Sequence, residues 1–151
     1  MSQTGETGTI NQCIAGLDIA LNDLIAKKEK IPLWKKFGGK KNKYKIYSSG
    51  INPHIPEKTV EQGLQAGITA FKLKIGFGTK VDFENLQNIK RILTKNHLLM
   101  VDANQAWNVE ESIRTIPLIE EFDLFWLEEP LIASAKIKEW KKLKDSINIS
   151  L

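Results

Sequence analysis

Three short clusters carry side chains suited to proton transfer and cation binding: Lys72-Leu73-Lys74, Asp102-Ala103-Asn104 and Glu128-Glu129-Pro130. An amine that has lost its proton is a base, and carboxylate oxygens suit a hard divalent cation such as Mg2+, which keeps waters for a substrate to displace. If Lys72 and Lys74 lie on a strand, side-chain alternation sends both to one side, with Cα atoms about 7 Å apart. Heads approaching to about 4 Å at an effective dielectric near 20 would repel by about 4 kcal/mol, roughly three pKa units, leaving one amine a base near neutral pH. Each cluster alone has a plainer reading: two solvated lysines on a strand edge, a turn-forming Asp and Asn, and an exposed glutamate pair ended by a proline. The spacing argues for more, because Lys74, Asp102 and Glu128 stand 28 and 26 residues apart. Two carboxylates make an incomplete cation site, and a third oxygen ligand is expected one strand further on.

That interval is the length of a strand plus a crossover helix, and the surrounding pattern agrees. β-rich runs at Tyr44 to Ser48, Ala70 to Ile75, Leu98 to Asp102, Leu124 to Glu128 and Ile147 to Leu151 alternate with amphipathic stretches. Asp82 and Ser134 are positioned to cap helices, Asn96 to end one, and Asn108 with Glu111 forms a capping-box pattern. Pro117 falls inside a helical stretch and predicts a bend. Ahead of the first strand, Ile14, Leu17, Leu21 and Leu24 mark an amphipathic helix ending near Lys28, and Pro32 to Lys43 reads as a loop. Repeated βα units without a Gly-rich phosphate turn leave two architectures: a doubly wound open sheet or part of an eight-stranded barrel, which places chemistry at the carboxyl ends of its strands.

The bulk properties set limits. With 151 residues, 42% hydrophobic and 26% charged, the chain can bury a core. Its formal charge of +4 comes largely from the lysine-rich stretch between Lys27 and Lys45, a solvated surface rather than a nucleic-acid-binding face. One cysteine, Cys13, excludes an internal disulfide and reads as a small core residue. No run is long and apolar enough for a membrane span, and no signal peptide is visible, so neither nucleic acid nor membrane is expected as a partner and a cytoplasmic location is the default.

The motifs FKLKIGFG, VDANQAW and WLEEPL resemble, in order, the second, third and fourth barrel strands of the mandelate racemase and muconate-lactonizing enzyme branch of the enolase superfamily. The upstream GLDIALNDLIAKKEKIPLWKKFGGK resembles the segment joining that family's capping domain to its barrel. The resemblance implies a partial TIM-type (β/α) barrel of about five strands at 43–151, preceded by a helix and linker from the capping-domain junction at 1–42. It implies Lys74 as the base that takes the proton α to a substrate carboxylate, Lys72 as its partner, which tunes it and contacts the carboxylate, and Asn104 as a residue facing substrate. Asp102 and Glu128 match two Mg2+ ligands, with Glu129 behind them and pointing away from the metal. A Lys or His base working with Mg2+ that stabilises an ene-diolate belongs to the superfamily's general chemistry.

The wording of KIGFG and DANQAW most resembles the acid-sugar dehydratases, with a racemase or epimerase next and a cycloisomerase after it. A non-catalytic truncated scaffold is the reading from a different class. The third metal ligand and the second acid/base group have no counterpart before Leu151, so the chain reads as a fragment of a homo-oligomeric parent, inactive alone. His54, after Asn52-Pro53 at the site mouth, is a further candidate for touching substrate, although a loop histidine is as readily explained by exposure. Ser48, Ser49 and Trp107 stand near the same mouth, and His97 reads as structural.

Overall fold

The computed structural model describes residues 8–41 and 43–151. The chain divides into two compact units, Met1–Lys45 and Ile46–Leu151. The first holds helices α1 (Gly8–Glu29) and α2 (Leu33–Lys36). The stripe Ile14, Leu17, Leu21 and Leu24 lies on α1 as its spacing predicts, but all four residues are exposed. Cys13 is exposed too, so it is not the core residue its small apolar side chain suggested. The expected loop at 32–43 contains α2, a single turn that Pro32 can start with its fixed φ of −70° and that is too short to show a helical period.

The second unit runs β1 (Ser48–Ile51), α3 (Pro56–Gln65), β2 (Ala70–Lys74), α4 (Thr79–Ile92), β3 (Leu98–Asp102), α5 (Val109–Glu120), β4 (Leu127–Glu128) and α6 (Ile137–Lys144). Its sheet is parallel throughout, in the order β1-β2-β3-β4. A doubly wound sheet reverses its strand order at a switch point. These strands follow one another without reversal, which is the arrangement of a barrel wall.

Alternation along the strands separates two faces. Phe71, Leu73, Leu99, Val101 and Leu127 join Val60 of α3, Leu86 and Ile89 of α4, Ile116 and Ile119 of α5, and Leu143 of α6 in one buried apolar cluster. Each such side chain stabilises the fold by about 1.5–3 kcal/mol. The intervening positions, Lys72, Lys74, Met100, Asp102 and Glu128, belong to the opposite face.

β2 and β3 fall where the pattern puts them, while the flanking strands differ. β1 begins at Ser48, not Tyr44. Tyr44 and Ile46 are exposed, whereas Ile51 is fully buried and pairs with Leu73 across an irregular register. β4 keeps only Leu127–Glu128, although the bonds Phe125 N to Leu99 O (2.8 Å) and Val101 N to Trp126 O (3.1 Å) continue the ladder before it. The run Ile147 to Leu151 is not a strand. It buries Ile147 and Ile149 and meets β4 where Ser150 O accepts from Leu127 N at 2.8 Å. Glu120 holds it by accepting from Asn148 N (2.7 Å) and Ile149 N (3.2 Å).

Helix ends show which local signals prevailed. Asn108 and Glu111 form the reciprocal capping box of α5, each bond 2.9 Å, and the helix continues through Pro117. α4 starts after Gly78, with Asp82 already inside it, and stops at Ile92 before Asn96 is reached. α6 starts after Lys136 rather than Ser134, with Glu139 accepting from Lys136 N at 2.7 Å. Because Asn108 also ends the loop that leaves β3, Asn108→Ala is expected to cost about 1 kcal/mol, seen as a lower urea midpoint with an unchanged slope.

Candidate active site

The register aligns Lys74 with Asp102 and Asp102 with Glu128, so three consecutive strands end on one row of chemical groups. Neighbouring strands lie about 4.8 Å apart, which brings the row within reach of side-chain hydrogen bonds. The 28- and 26-residue intervals of the sequence are thus the register of the sheet.

A chain of contacts joins the row. Lys74 Nζ donates to Asn104 Oδ1 at 2.6 Å, and Asn104 donates to Asp102 Oδ1 through its side-chain amide (2.8 Å) and its backbone N–H (2.9 Å). The other Asp102 oxygen lies 3.2 Å from Lys72 Nζ, which donates to Glu128 Oε2 at 2.6 Å. Lys72, two residues earlier on β2, reaches the row through its long stem. It is 7% exposed and Asp102 5%, so an isolated charge at either place would be costly and the pairing offsets that cost.

Burial pulls the Lys72 ammonium down, but bonds and attraction from Glu128 and Asp102 outweigh it and hold Lys72 above the ordinary lysine value of 10.5. The two-lysine repulsion considered from sequence would lower an amine. For Lys72 the structure gives the opposite, because carboxylates rather than Lys74 are its bonded partners.

Loop backbone fixes the carboxyl ends. Asn104 (φ 46°), Gln105 (φ 63°) and Glu129 (φ 46°) take left-handed conformations that are strained for glutamine and glutamate, and all three lie at the ends of β3 and β4. Gln105 N donates to Glu129 O at 2.7 Å, and Ala133 N donates to Gln105 Oε1 at 2.9 Å. Glu129 is exposed beyond the end of β4 and is tied to the β3 loop by its carbonyl. Beside Glu128, Trp126, Pro130, Trp140 and Ser150 line a cavity of about 500 Å³.

His54 is exposed in the β1–α3 loop and makes no hydrogen bond or ion pair with the row among the described residues. His97 accepts from Thr94 N at 3.0 Å within its own turn. Sequence reasoning missed Tyr47, whose ring centroid lies 5.5 Å from Lys72 Nζ and 5.6 Å from Trp126, edge to face. It also missed Gln105, which carries no charge or period to single it out.

The donor set can be tested against Mg2+. Asp102 and Glu128 offer hard oxygens that already converge on one cation, the Lys72 ammonium, so the pair fits a metal in kind. Among the described residues no group of three or more His, Cys, Asp and Glu side chains could hold a metal ion.

The Enolase C-terminal domain-like family matches residues 57–151. Over 147 residues the chain is 33% identical to 3,6-anhydro-alpha-L-galactonate cycloisomerase from Streptomyces coelicolor, covering 94% of this chain and 41% of that protein. Over 138 residues it is 37% identical to L-talarate/galactarate dehydratase from Salmonella typhimurium, covering 87% and 35%. The structure of that dehydratase, liganded with Mg and L-lyxarohydroxamate, superposes with a TM-score of 0.76 at 33% identity, covering 87% of this chain and 35% of that one. A mandelate racemase/muconate lactonizing enzyme from Bordetella bronchiseptica superposes with a TM-score of 0.88 at 41% identity, covering 97% and 40%. The sheet is accordingly part of a TIM-type (β/α) barrel. The chain spans about two fifths or less of the length of these curated relatives.

Lys72 gives a test of the row itself. A base whose folded value is raised contributes stability that is complete below the unfolded value and is lost as pH rises through the folded one. Lys72→Met is expected to cost about 3 kcal/mol at neutral pH by leaving Asp102 and Glu128 without their cation. The difference between the two proteins narrows above about pH 10.5 in denaturant titrations run across pH.

Proposed function

We propose, since the chain belongs to the mandelate racemase and muconate-lactonizing enzyme branch of the enolase superfamily, that it supplies the base and two metal-ligating carboxylates of an enzyme that removes the proton α to the carboxylate of an acid sugar, leading to loss of water. The supporting observation is the row at the strand ends, with Lys74 bonded through Asn104 to Asp102 and both carboxylates turned to one cation. Residues 1–42 are assigned on the same reading to the junction with a capping domain.

Lys74 is the base. Asn104 holds its Nζ 2.6 Å away through a neutral carbonyl oxygen, which orients the amine at the end of β2. Lys72, buried and kept charged, meets one oxygen of the substrate carboxylate. Asp102 and Glu128 would hold Mg2+. When bound, the metal supplies positive charge where the substrate carboxylate becomes more negative as the proton leaves. The lysines thereby divide the work: one takes the proton, the other stays cationic.

The dehydratase reading takes support from the talarate/galactarate relative. The cycloisomerase of an anhydro-galactonate, matched over nearly all of the chain, favours a second reading in which the same proton is removed from an acid sugar with a different outcome.

The test uses the whole enzyme that carries this segment, with galactarate in deuterium oxide. Exchange of the α-proton, followed by NMR, is expected to fall by about 10³-fold in Lys74→Ala. Mg2+ affinity by calorimetry stays within about twofold in that variant, and weakens more than about tenfold in Asp102→Asn and Glu128→Gln. Exchange that survives Lys74→Ala would overturn the assignment, and release of water against ring rearrangement separates the two readings.

A further inference from the structure

Asp82 sits in the first turn of α4, where its own N–H donates to Gly78 O at 3.0 Å. Its side chain does not cap that helix. One carboxylate oxygen accepts from Gly76 N at 2.9 Å and the other from Phe77 N at 3.3 Å. Those amides belong to the turn that begins immediately after Lys74, the last residue of β2.

The turn is gripped from the other side as well. Ile75 N donates to Asp102 O at 2.9 Å, continuing the ladder past Lys74. Gly76 has φ 94°, and a Cβ there would lie 2.6 Å from Ala106 Cβ and 3.2 Å from Ala103 O, so the turn packs against the β3 loop with no room for a side chain. β3 holds one face of residues 75–77 and Asp82 the other. One turn along α4, Asn85 is also buried and donates to Pro53 O at 2.9 Å, holding the β1–α3 loop from the same helix.

Asp82 is 3% exposed, and burial pushes its carboxyl above the usual aspartate range although both backbone N–H bonds pull it down. An acid with a raised folded value binds more protons folded than unfolded in the interval between the two values. Its contribution to stability is therefore present at low pH and lost as pH rises through the folded value. Burial thus favours the protonated carboxyl relative to the ionised one, while the two backbone bonds favour the carboxylate. What it provides is two acceptors for two adjacent N–H groups, which an asparagine cannot match, because its NH2 would face one of those donors.

We propose that Asp82 is a positioning residue for the base Lys74, fixing the direction in which the chain leaves β2 through the Gly76 and Phe77 amides. The inference rests on Lys74 being the base. A lysine side chain has four flexible carbons, so the placement of Nζ against Asn104 depends on how firmly its backbone is held.

The experiment compares wild type, Asp82→Asn, Asp82→Glu and Lys74→Ala in the whole enzyme that carries this segment. Backbone hydrogen exchange over residues 75–77 is read by mass spectrometry, together with kcat and KM for α-proton exchange and thermal midpoints. For Asp82→Asn the expected result is at least tenfold faster exchange confined to 75–77. With it, kcat is about tenfold lower, KM lies within twofold of wild type, and the protein stays folded with no more than a modest drop in midpoint. Asp82→Glu, which keeps two acceptors, is expected to recover part of kcat and of the protection. Wild-type protection and kcat in Asp82→Asn, beside an inactive Lys74→Ala, would overturn the role of Asp82 and leave the base assigned. Full activity in Lys74→Ala would remove the base, while the exchange data would still report whether Asp82 holds the turn. An Asp82→Asn protein that fails to fold, or loosens throughout the sheet, makes Asp82 part of the framework and overturns the proposal.

Discussion

Parallel register is the constraint from which everything else in the second unit follows. Side chains alternate with a period of two, so a slip of β3 by one residue against β2 would carry Asp102 into the helix layer and place Val101 or Ala103 beside Lys74. The same slip would bring charge into the apolar cluster of Leu73, Leu86 and Ile89. Burial of the odd-numbered positions on β2 and β3 therefore pins the even-numbered ones. The geometry of the polar row is a consequence of hydrophobic packing on the opposite face, and the chain needs no separate device to align its charges.

The row is also balanced within itself. Lys72, Lys74, Asp102 and Glu128 together carry no net formal charge, and the most buried of them, Asp102 and Lys72, face each other. Lys72 extends along the sheet to reach carboxylates on two other strands, and Tyr47 offers its ring to the same ammonium. This internal cation lets two carboxylates converge that would otherwise repel. Strain appears next to it, in the left-handed Asn104, Gln105 and Glu129, where hydrogen bonds between the β3 and β4 loops hold the backbone in place.

What the sequence revealed and what it hid divide along the range of the forces involved. β2 and β3 were legible because Phe71, Leu73, Leu99 and Val101 are buried on one face and alternate with Lys72, Lys74 and Asp102 on the other, so pattern and spacing agreed. The capping box at Asn108 was legible because it is settled within four residues. β1 was misplaced because Tyr44-Lys45-Ile46 alternates like a strand, while the position of the true strand is set by Ile51 meeting Leu73, a contact made across the sheet. Asp82 looked like a helix cap because caps are local, and its real partners, Gly76 and Phe77, are backbone groups with no signature of their own. The partners of Lys72 are 30 and 56 residues away, so its face was legible from alternation but the sign of its pKa shift was not.

The relatives place a limit on what this part of the barrel can decide. A dehydratase and a cycloisomerase match it over most of its length, at similar identity, and act on different acid-sugar carboxylates with different outcomes. On the function proposed above, the step common to both outcomes is removal of the α-proton, and β2, β3 and β4 align the groups assigned to it. The fate of the carbanion depends on which group next delivers or accepts a proton, and from which side. With Lys74 proposed as the base on one flank of the row, the opposite flank is left for the group that would decide the outcome. A shared scaffold with divergent outcomes is what that proposal leads one to expect.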